Sequence, residues 1–223
     1  MHLGLIGGIG PAATEFYYRH LARLHAAAGR PMDLTIVNAE VGDLGRNMAD
    51  NAPERQAAIF MRLTERLRAA GAEAVAITSI GGHFCLKHFE PQSPLPVLSI
   101  IPALEADLVR RGLRRVGLLG TRVAMASRIY DGISAVDLVV PEGPSFDATH
   151  DAYVAMAAAA EATDQQRDVL FAIGRDLCSK QGAEAVLLAG TDLFLAFEGH
   201  DCGFPTIDGA LVHVEALARA SMR

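Results

Sequence analysis

The sequence predicts an α/β protein made of two similar halves, each a parallel sheet flanked by helices. Three observations carry this reading. Short apolar runs of strand length alternate with amphipathic segments of ten residues or more, the pattern of βαβ units rather than of hairpins. The chain also echoes itself. Gly71-Ala72-Glu73-Ala74-Val75 returns 111 residues later as Gly182-Ala183-Glu184-Ala185-Val186, and Gly4-Leu5-Ile6-Gly7 returns 113 residues later as Gly117-Leu118-Leu119-Gly120. Finally, the runs that read as strands end in glycines and small hydroxyl residues, as ligand-binding ends of parallel strands do. The expected fold is two pseudo-symmetric, Rossmann-like α/β/α domains. One comprises residues 1–100 with 208–223, the other residues 101–207, with a hinge near 99–102.

Each element has a local reason. Residues 2–6 form a first strand that ends in Gly7-Gly8-Ile9-Gly10, and Pro11 opens an amphipathic helix to about residue 28. Residues 34–38 are a second strand. Pro53 sits in the first turn of a long helix that Gly71 ends. Residues 74–78 are a third strand, a short helix starts near His83, and residues 97–100 are a fourth strand. Pro102 lies at the start of the helix to Arg111. In the second half, 115–119, 136–140, 185–189 and 205–207 read as strands. Helices fall within 149–162, 164–181 and 209–221.

Composition excludes several classes. Of the 223 residues 51% are hydrophobic and 21% charged, ordinary values for a globular chain. The net charge of −6 comes without a Lys/Arg stripe, so no nucleic-acid partner is expected. No apolar run reaches the roughly 18 residues of a membrane span, and the start lacks the charged n-region of a signal peptide. Cys85, Cys178 and Cys202 are odd in number and lack metal-ligand spacing, so reduced thiols in the cytoplasm and no metal site are expected.

Five strand ends are candidates for function: Gly7-Gly8-Ile9-Gly10, Asn38-Ala39-Glu40, Thr78-Ser79-Ile80-Gly81-Gly82-His83, Gly120-Thr121-Arg122 and Ala189-Gly190-Thr191-Asp192. The first precedes a helix, where free amides and the helix dipole favour an anion. It lacks the full G-x-G-x-x-G spacing of a dinucleotide site, and a tight turn is the alternative. Thr78-Ser79 and Gly190-Thr191 stand at nearly equivalent places in the two halves. Their hydroxyls suit a carboxylate or ammonium ligand, or cap the following helices. His83 has an ordinary pKa near 6.5 and is the nearby group that takes a proton at neutral pH. Asp192 is the other ionisable candidate.

On these motifs the chain resembles the aspartate/glutamate racemase family, the cofactor-independent amino-acid racemases, along nearly its whole length. GLIGGIGP is similar to the family's G-L-x-G-G-M-x opening, and RRVGLLGTRVAMASRIY to G-L-L-G-T-x-x-T-M followed by a tyrosine. GAEAVLLAGTDL resembles G-A-E-A-V-I-L-G-C-T-E-L, and TIDGALVHVEA the D-T/S-x-x-x-H-x-x-A tail. The resemblance implies a ligand in an interdomain cleft, a homodimer, and neither metal nor pyridoxal phosphate. It also implies two cysteines that flank the ligand's α-carbon and move its proton. Here Thr78 stands at the position matched to the first cysteine and Gly190 at the second. Cys85, Cys178 and Cys202 fall elsewhere. A lysine that relatives use to hold a side-chain carboxylate has no counterpart in 153–167, which leaves Arg46 and Arg122 as cations.

The resulting expectation has catalytic candidates Thr78, His83 and Asp192, with Gly190 at a lost cysteine position. Gly8, Ser79, Gly120, Thr121, Gly190, Thr191 and Arg46 are expected to hold a small amino acid or carboxylate. Altered proton transfer on a racemase scaffold is one reading. A non-catalytic carboxylate-binding or regulatory protein on the same fold is another, and a fold without a ligand is the third.

Overall fold

The computed structural model describes residues 1–126 and 128–223. Ser127, within the segment RRVGLLGTRVAMASRIY, lies outside the described residues. The chain divides into two compact units, Met1–Ser99 with His213–Arg223, and Ile100–Val212.

The first unit runs β1 (Leu3–Gly7), α1 (Pro11–Ala27), β2 (Leu34–Asn38), α2 (Val41–Ala49), α3 (Pro53–Ala69), β3 (Ala74–Ile77), a 3-10 turn Gly81–Cys85 and α4 (Leu86–Phe89). Its sheet is parallel, in the order β2-β1-β3. Residues 97–100, expected as a strand, contribute only a parallel bridge from Val97 to Val75, because the next helix already begins at Ile100. The second unit runs α5 (Ile100–Arg110), β4 (Arg115–Leu119), α6 (Arg122–Ala126), β5 (Asp137–Val139), α7 (Pro144–Ala159), α8 (Asp164–Gln181), β6 (Ala185–Leu188), α9 (Phe194–Phe197), β7 (Thr206–Asp208) and α10 (Gly209–Ser221). Its parallel sheet has the order β5-β4-β6-β7. From His213 onward α10 belongs to the first unit, so the second unit reaches Val212 rather than 207; β7 pairs with β6 and keeps the helix start with it. Among the described residues, no helix is long and apolar enough to cross a membrane.

The internal echoes have physical causes. Gly71 and Gly182 end α3 and α8 in the left-handed region, at φ of 94° and 71°, where a side chain is strained. Glu73 and Glu184 then reach back to the start of the central strand. Glu73 Oε2 accepts the His2 amide at 2.6 Å, and Glu184 Oε2 accepts the Arg114 amide at 2.6 Å. The glycines of the other echo face the same two helices. A Cβ on Gly4 would lie 3.0 Å from Leu67 Cδ1, and one on Gly117 would lie 3.0 Å from Leu177 Cδ1. Leu67 and Leu177 are buried anchors of α3 and α8, so glycine in the strand sets how closely helix meets sheet. Pro53 starts α3, and a Thr163–Gln166 capping box starts α8.

Backbone hydrogen bonds fix the correspondence between the units. The Val75 amide donates to Pro96 O and the Val186 amide to Pro205 O, both at 2.9 Å. At the strand ends the Thr78 amide donates to Ile6 O (3.1 Å) and the Ala189 amide to Leu119 O (2.7 Å). Thr78 therefore corresponds to Ala189, and Ser79 to Gly190. The sequence reading, which matched Thr78 and Gly190, is one residue out of this register.

Candidate functional site

At the carboxyl ends of β1 and β3, hydroxyls and amides are already joined to each other. Gly8, at φ 84°, directs its amide to Thr14 Oγ1 at 2.9 Å, and that hydroxyl donates to Gly10 O at 3.0 Å. A Cβ on Gly8 would collide with Asn38 Oδ1 at 2.1 Å, so close packing against the β2 end requires glycine there. Thr78 is fully buried, and its hydroxyl lies 3.3 Å from both Thr14 Oγ1 and Ile6 O. In this structure the Gly8 amide and the Thr78 hydroxyl, expected at a ligand, serve the βα turn. Thr14, which the sequence offers only as part of the helix opening, ties the two together.

Ser79 differs. It is 8% exposed, and its hydroxyl has no hydrogen-bond partner among the described residues. Its carbonyl lies 3.0 Å from His83 Nδ1. A carbonyl only accepts, so Nδ1 carries the proton and Nε2 presents a lone pair. Burial pushes the His83 imidazole down to about 4, with the Ser79 carbonyl opposing that shift. The ring is neutral at pH 7 and a weak base. His213 lies nearby. Its Nε2 donates to Leu98 O at 2.9 Å, which leaves Nδ1 to accept the Tyr17 hydroxyl at 2.8 Å. Burial, then the charge His83 would carry, push His213 down to about 3. Arg46 is not at the strand ends. It lies on the exposed side of α2, 2.5 Å from Asp43 Oδ1, because a three-residue helical spacing places the two side by side.

The β4 and β6 ends of the second unit are built otherwise. Gly120 packs under the β6 end, where a Cβ would meet Ala189 O at 3.0 Å. Thr121 caps α6, its hydroxyl accepting the Ala124 amide at 3.1 Å. Arg122 pairs with Asp147 at 2.6 Å and is 53% exposed. Beyond β6, a Cβ on Gly190 would lie 2.3 Å from Tyr153 Cε2 and 3.0 Å from the Tyr153 hydroxyl. Tyr153 comes from α7, and its hydroxyl donates to Asp192 Oδ2 at 2.9 Å. Burial first, then the Asp192 charge, hold the phenol well above its usual range, so it stays protonated. Tyr130 donates to Ala189 O at 3.0 Å. Thr191 is 3% exposed, and its buried hydroxyl has no partner among the described residues. Such a group is costly unless something else completes it.

Nothing local in the sequence marks Tyr153, because its place over Gly190 comes from the packing of α7. Asp208 stands at the β7 end. Burial raises its carboxyl to about 6, against the Leu211 and Ala210 amides. Of the three thiols, Cys85 and Cys202 are buried and Cys178 is half-buried. Cys85 donates to Gly82 O at 3.3 Å, and burial pushes it up to about 12. Among the described residues, no group of three His, Cys, Asp or Glu side chains is placed to hold a metal ion.

Known structures show the same fold. A Yersinia pestis protein provisionally named an Asp/Glu racemase superposes with a TM-score of 0.87 at 22% identity, covering 100% of both chains. An aspartate racemase homologue from Pyrococcus horikoshii gives 0.83 at 23% identity, over 100% of this chain and 99% of that one. Glutamate racemase from Thermus thermophilus, solved with β-chloro-D-alanine, gives 0.67 at 18% identity, over 98% of this chain and 79% of that one. The sequence profile of the Asp/Glu/Hydantoin racemase family matches residues 6–217, so the chain belongs to that family.

Proposed function

We propose that this protein binds a small amino acid or carboxylate at the carboxyl ends of its parallel strands. In this reading it acts on the ligand without a pair of thiols. The observation that carries the proposal is the makeup of the two corresponding positions in a racemase-family chain. One is Ser79, with His83 on its carbonyl. The other is Gly190, whose side-chain space holds the Tyr153 ring. Neither serine nor glycine supplies a thiolate near neutral pH, so two-base racemisation of the usual kind has no proton carriers there. His83 and the Tyr153–Asp192 pair are the groups left to exchange a proton. An acidic amino acid is not required, since Arg46 is engaged on the surface.

The second reading is a non-catalytic binding or regulatory protein. It is favoured by the Cys85 thiol at about 12 and the His83 imidazole at about 4, neither a good base for a carbon acid at pH 7. One experiment separates the two. The protein is incubated in deuterium oxide with L- and D-amino acids, and α-proton exchange is followed by NMR. Exchange that H83A or Y153F abolishes establishes an enzyme. Thermal stabilisation without exchange establishes a binding protein. A panel that produces neither result refutes both.

A further inference from the structure

We infer that Gly81 is a specificity-determining residue: it leaves a methyl-sized recess beyond the β3 end that seats a short uncharged side chain of the ligand and disfavours an acidic one. The inference rests on the reading above that the carboxyl strand ends meet the ligand. The first observation is steric. A Cβ on Gly81 would lie 3.6 Å from Met48 Sδ, 3.6 Å from Ser79 Oγ and 3.8 Å from Leu44 Cδ2. These are ordinary van der Waals separations, so the space beside Gly81 takes one methyl group without moving a neighbour. Other glycines near these strand ends have no such room: a Cβ on Gly7, Gly8 or Gly82 would fall 2.5, 2.1 or 2.9 Å from its nearest neighbour. Nor does the backbone ask for glycine at 81, which lies outside the positive-φ region.

The second observation is the lining. Leu44 and Met48 stand one turn apart on α2, and Asn47 Nδ2 donates to Gln56 Oε1 at 2.9 Å, which ties that helix to α3. Leu44 is buried, while Met48 and Gly81 are half-buried, so the recess keeps an open side. The Ser79 hydroxyl borders the same space. It is 8% exposed and has no hydrogen-bond partner among the described residues, so a polar atom of a ligand beside the recess would complete it. A thioether, a methyl carbon and one neutral hydroxyl suit a methyl group. A carboxylate seated there would give up its hydration for at most one hydrogen bond. The cation of α2, Arg46, is turned outward to Asp43 at 2.5 Å.

The test uses two series that grow at one position: glycine, alanine and aspartate, with both enantiomers of the last two, and acetate, propionate and succinate. Affinities are measured by calorimetry on the wild type and on Gly81→Ala. In whichever series binds, the methyl compound is expected to bind about fourfold more tightly than the shortest member, the worth of one buried methyl group. The compound with the added carboxylate is expected to bind about tenfold or more weakly than the methyl compound. Gly81→Ala should fold with an undiminished thermal midpoint, since its methyl meets no clash. That methyl occupies the recess, so the fourfold advantage disappears while glycine or acetate keeps its wild-type affinity. A methyl compound no tighter than the shortest member, an acidic compound as tight as the methyl one, or an advantage unchanged in Gly81→Ala overturns the inference and leaves the proposed ligand site standing. Loss of glycine or acetate binding in Gly81→Ala does the same, because the added methyl then meets the common part of the ligand. Failure of all six compounds to bind the wild type overturns both.

Discussion

The Tyr153 ring and Gly190 share one volume: a Cβ on the glycine would stand 2.3 Å from Tyr153 Cε2. Either residue constrains the other, and their effects on stability are coupled. Gly190→Ala forces the ring aside and is expected to cost about 1–3 kcal/mol as overpacking. Tyr153→Ala leaves a void and removes a partner of Asp192, for about 3–5 kcal/mol. The double variant places a methyl group in the vacated space, so it should cost less than the sum. Urea unfolding of the four proteins gives the coupling energy. Additive costs would show that the ring and the glycine are independent.

Thr78 and Ser79 are adjacent in sequence and differ in role. The Thr78 hydroxyl sits among Thr14 Oγ1 and Ile6 O, whereas the Ser79 hydroxyl has no partner among the described residues. Thr78→Val is expected to lower stability by about 1 kcal/mol, the net value of a buried hydrogen bond. Ser79→Ala is expected to leave the unfolding midpoint within about 0.5 kcal/mol of wild type. If Ser79 meets a ligand, its variant instead loses the thermal stabilisation that the best binding amino acid confers. A Ser79→Ala protein less stable than Thr78→Val would reverse these assignments.

Much of the fold was legible because local rules and the duplication agree. Gly71 and Gly182 mark helix ends, Pro53 marks a start, and Gly4 and Gly117 mark close approaches of Leu67 and Leu177. Helix α2 was not seen, since VGDLGRNMA carries two glycines and a single buried apolar residue, Leu44. It forms because Glu40 caps it and Asn47 bonds Gln56 of α3, a tertiary contact with no sequence signature. The candidate site is read from the sequence as a set of strand ends. Its internal roles are not, because they depend on register and on direction of hydrogen bonds. A shift of one residue exchanges a buried Thr78 for an available Ser79. Tyr153 is distant in sequence from the glycine whose space it fills, so only the packing of α7 reveals it.

The three thiols should differ in reactivity. Cys85 is buried with its thiol pushed up to about 12, Cys178 is half-buried, and Cys202 is buried with its thiol donating to Phe204 O at 3.3 Å. Thiolate content and access set the rate of attack on an aromatic disulfide reagent. In the native protein at pH 8, Cys178 is expected to react first and Cys85 last, with Cys85 modified only after addition of denaturant. Mass spectrometry of peptides after timed quenching assigns each site. Prompt labelling of Cys85 would mean that the first unit opens readily around the turn at 81–85.

Acid should destabilise the protein, and the slope follows from three buried groups. His83 and His213 titrate near 4 and 3 when folded, against 6.5 in the unfolded chain. Between those values the unfolded chain binds the extra proton. Their contribution is therefore complete above about pH 6.5 and is lost as pH falls toward 4 and 3. Asp208 has the opposite sign. Its folded value of about 6 exceeds the unfolded 3.8, so in that interval the folded protein holds the extra proton and gains stability as pH falls. Near pH 5 two histidines against one carboxyl leave a net uptake of about one proton on unfolding, or about 1.4 kcal/mol lost per pH unit. Urea unfolding at pH 6.0, 5.5 and 5.0 measures this slope. His83→Gln should bring it close to zero, and Asp208→Asn should roughly double it. A wild-type slope near zero, or one left unchanged by both substitutions, would show that these groups do not titrate as their burial requires.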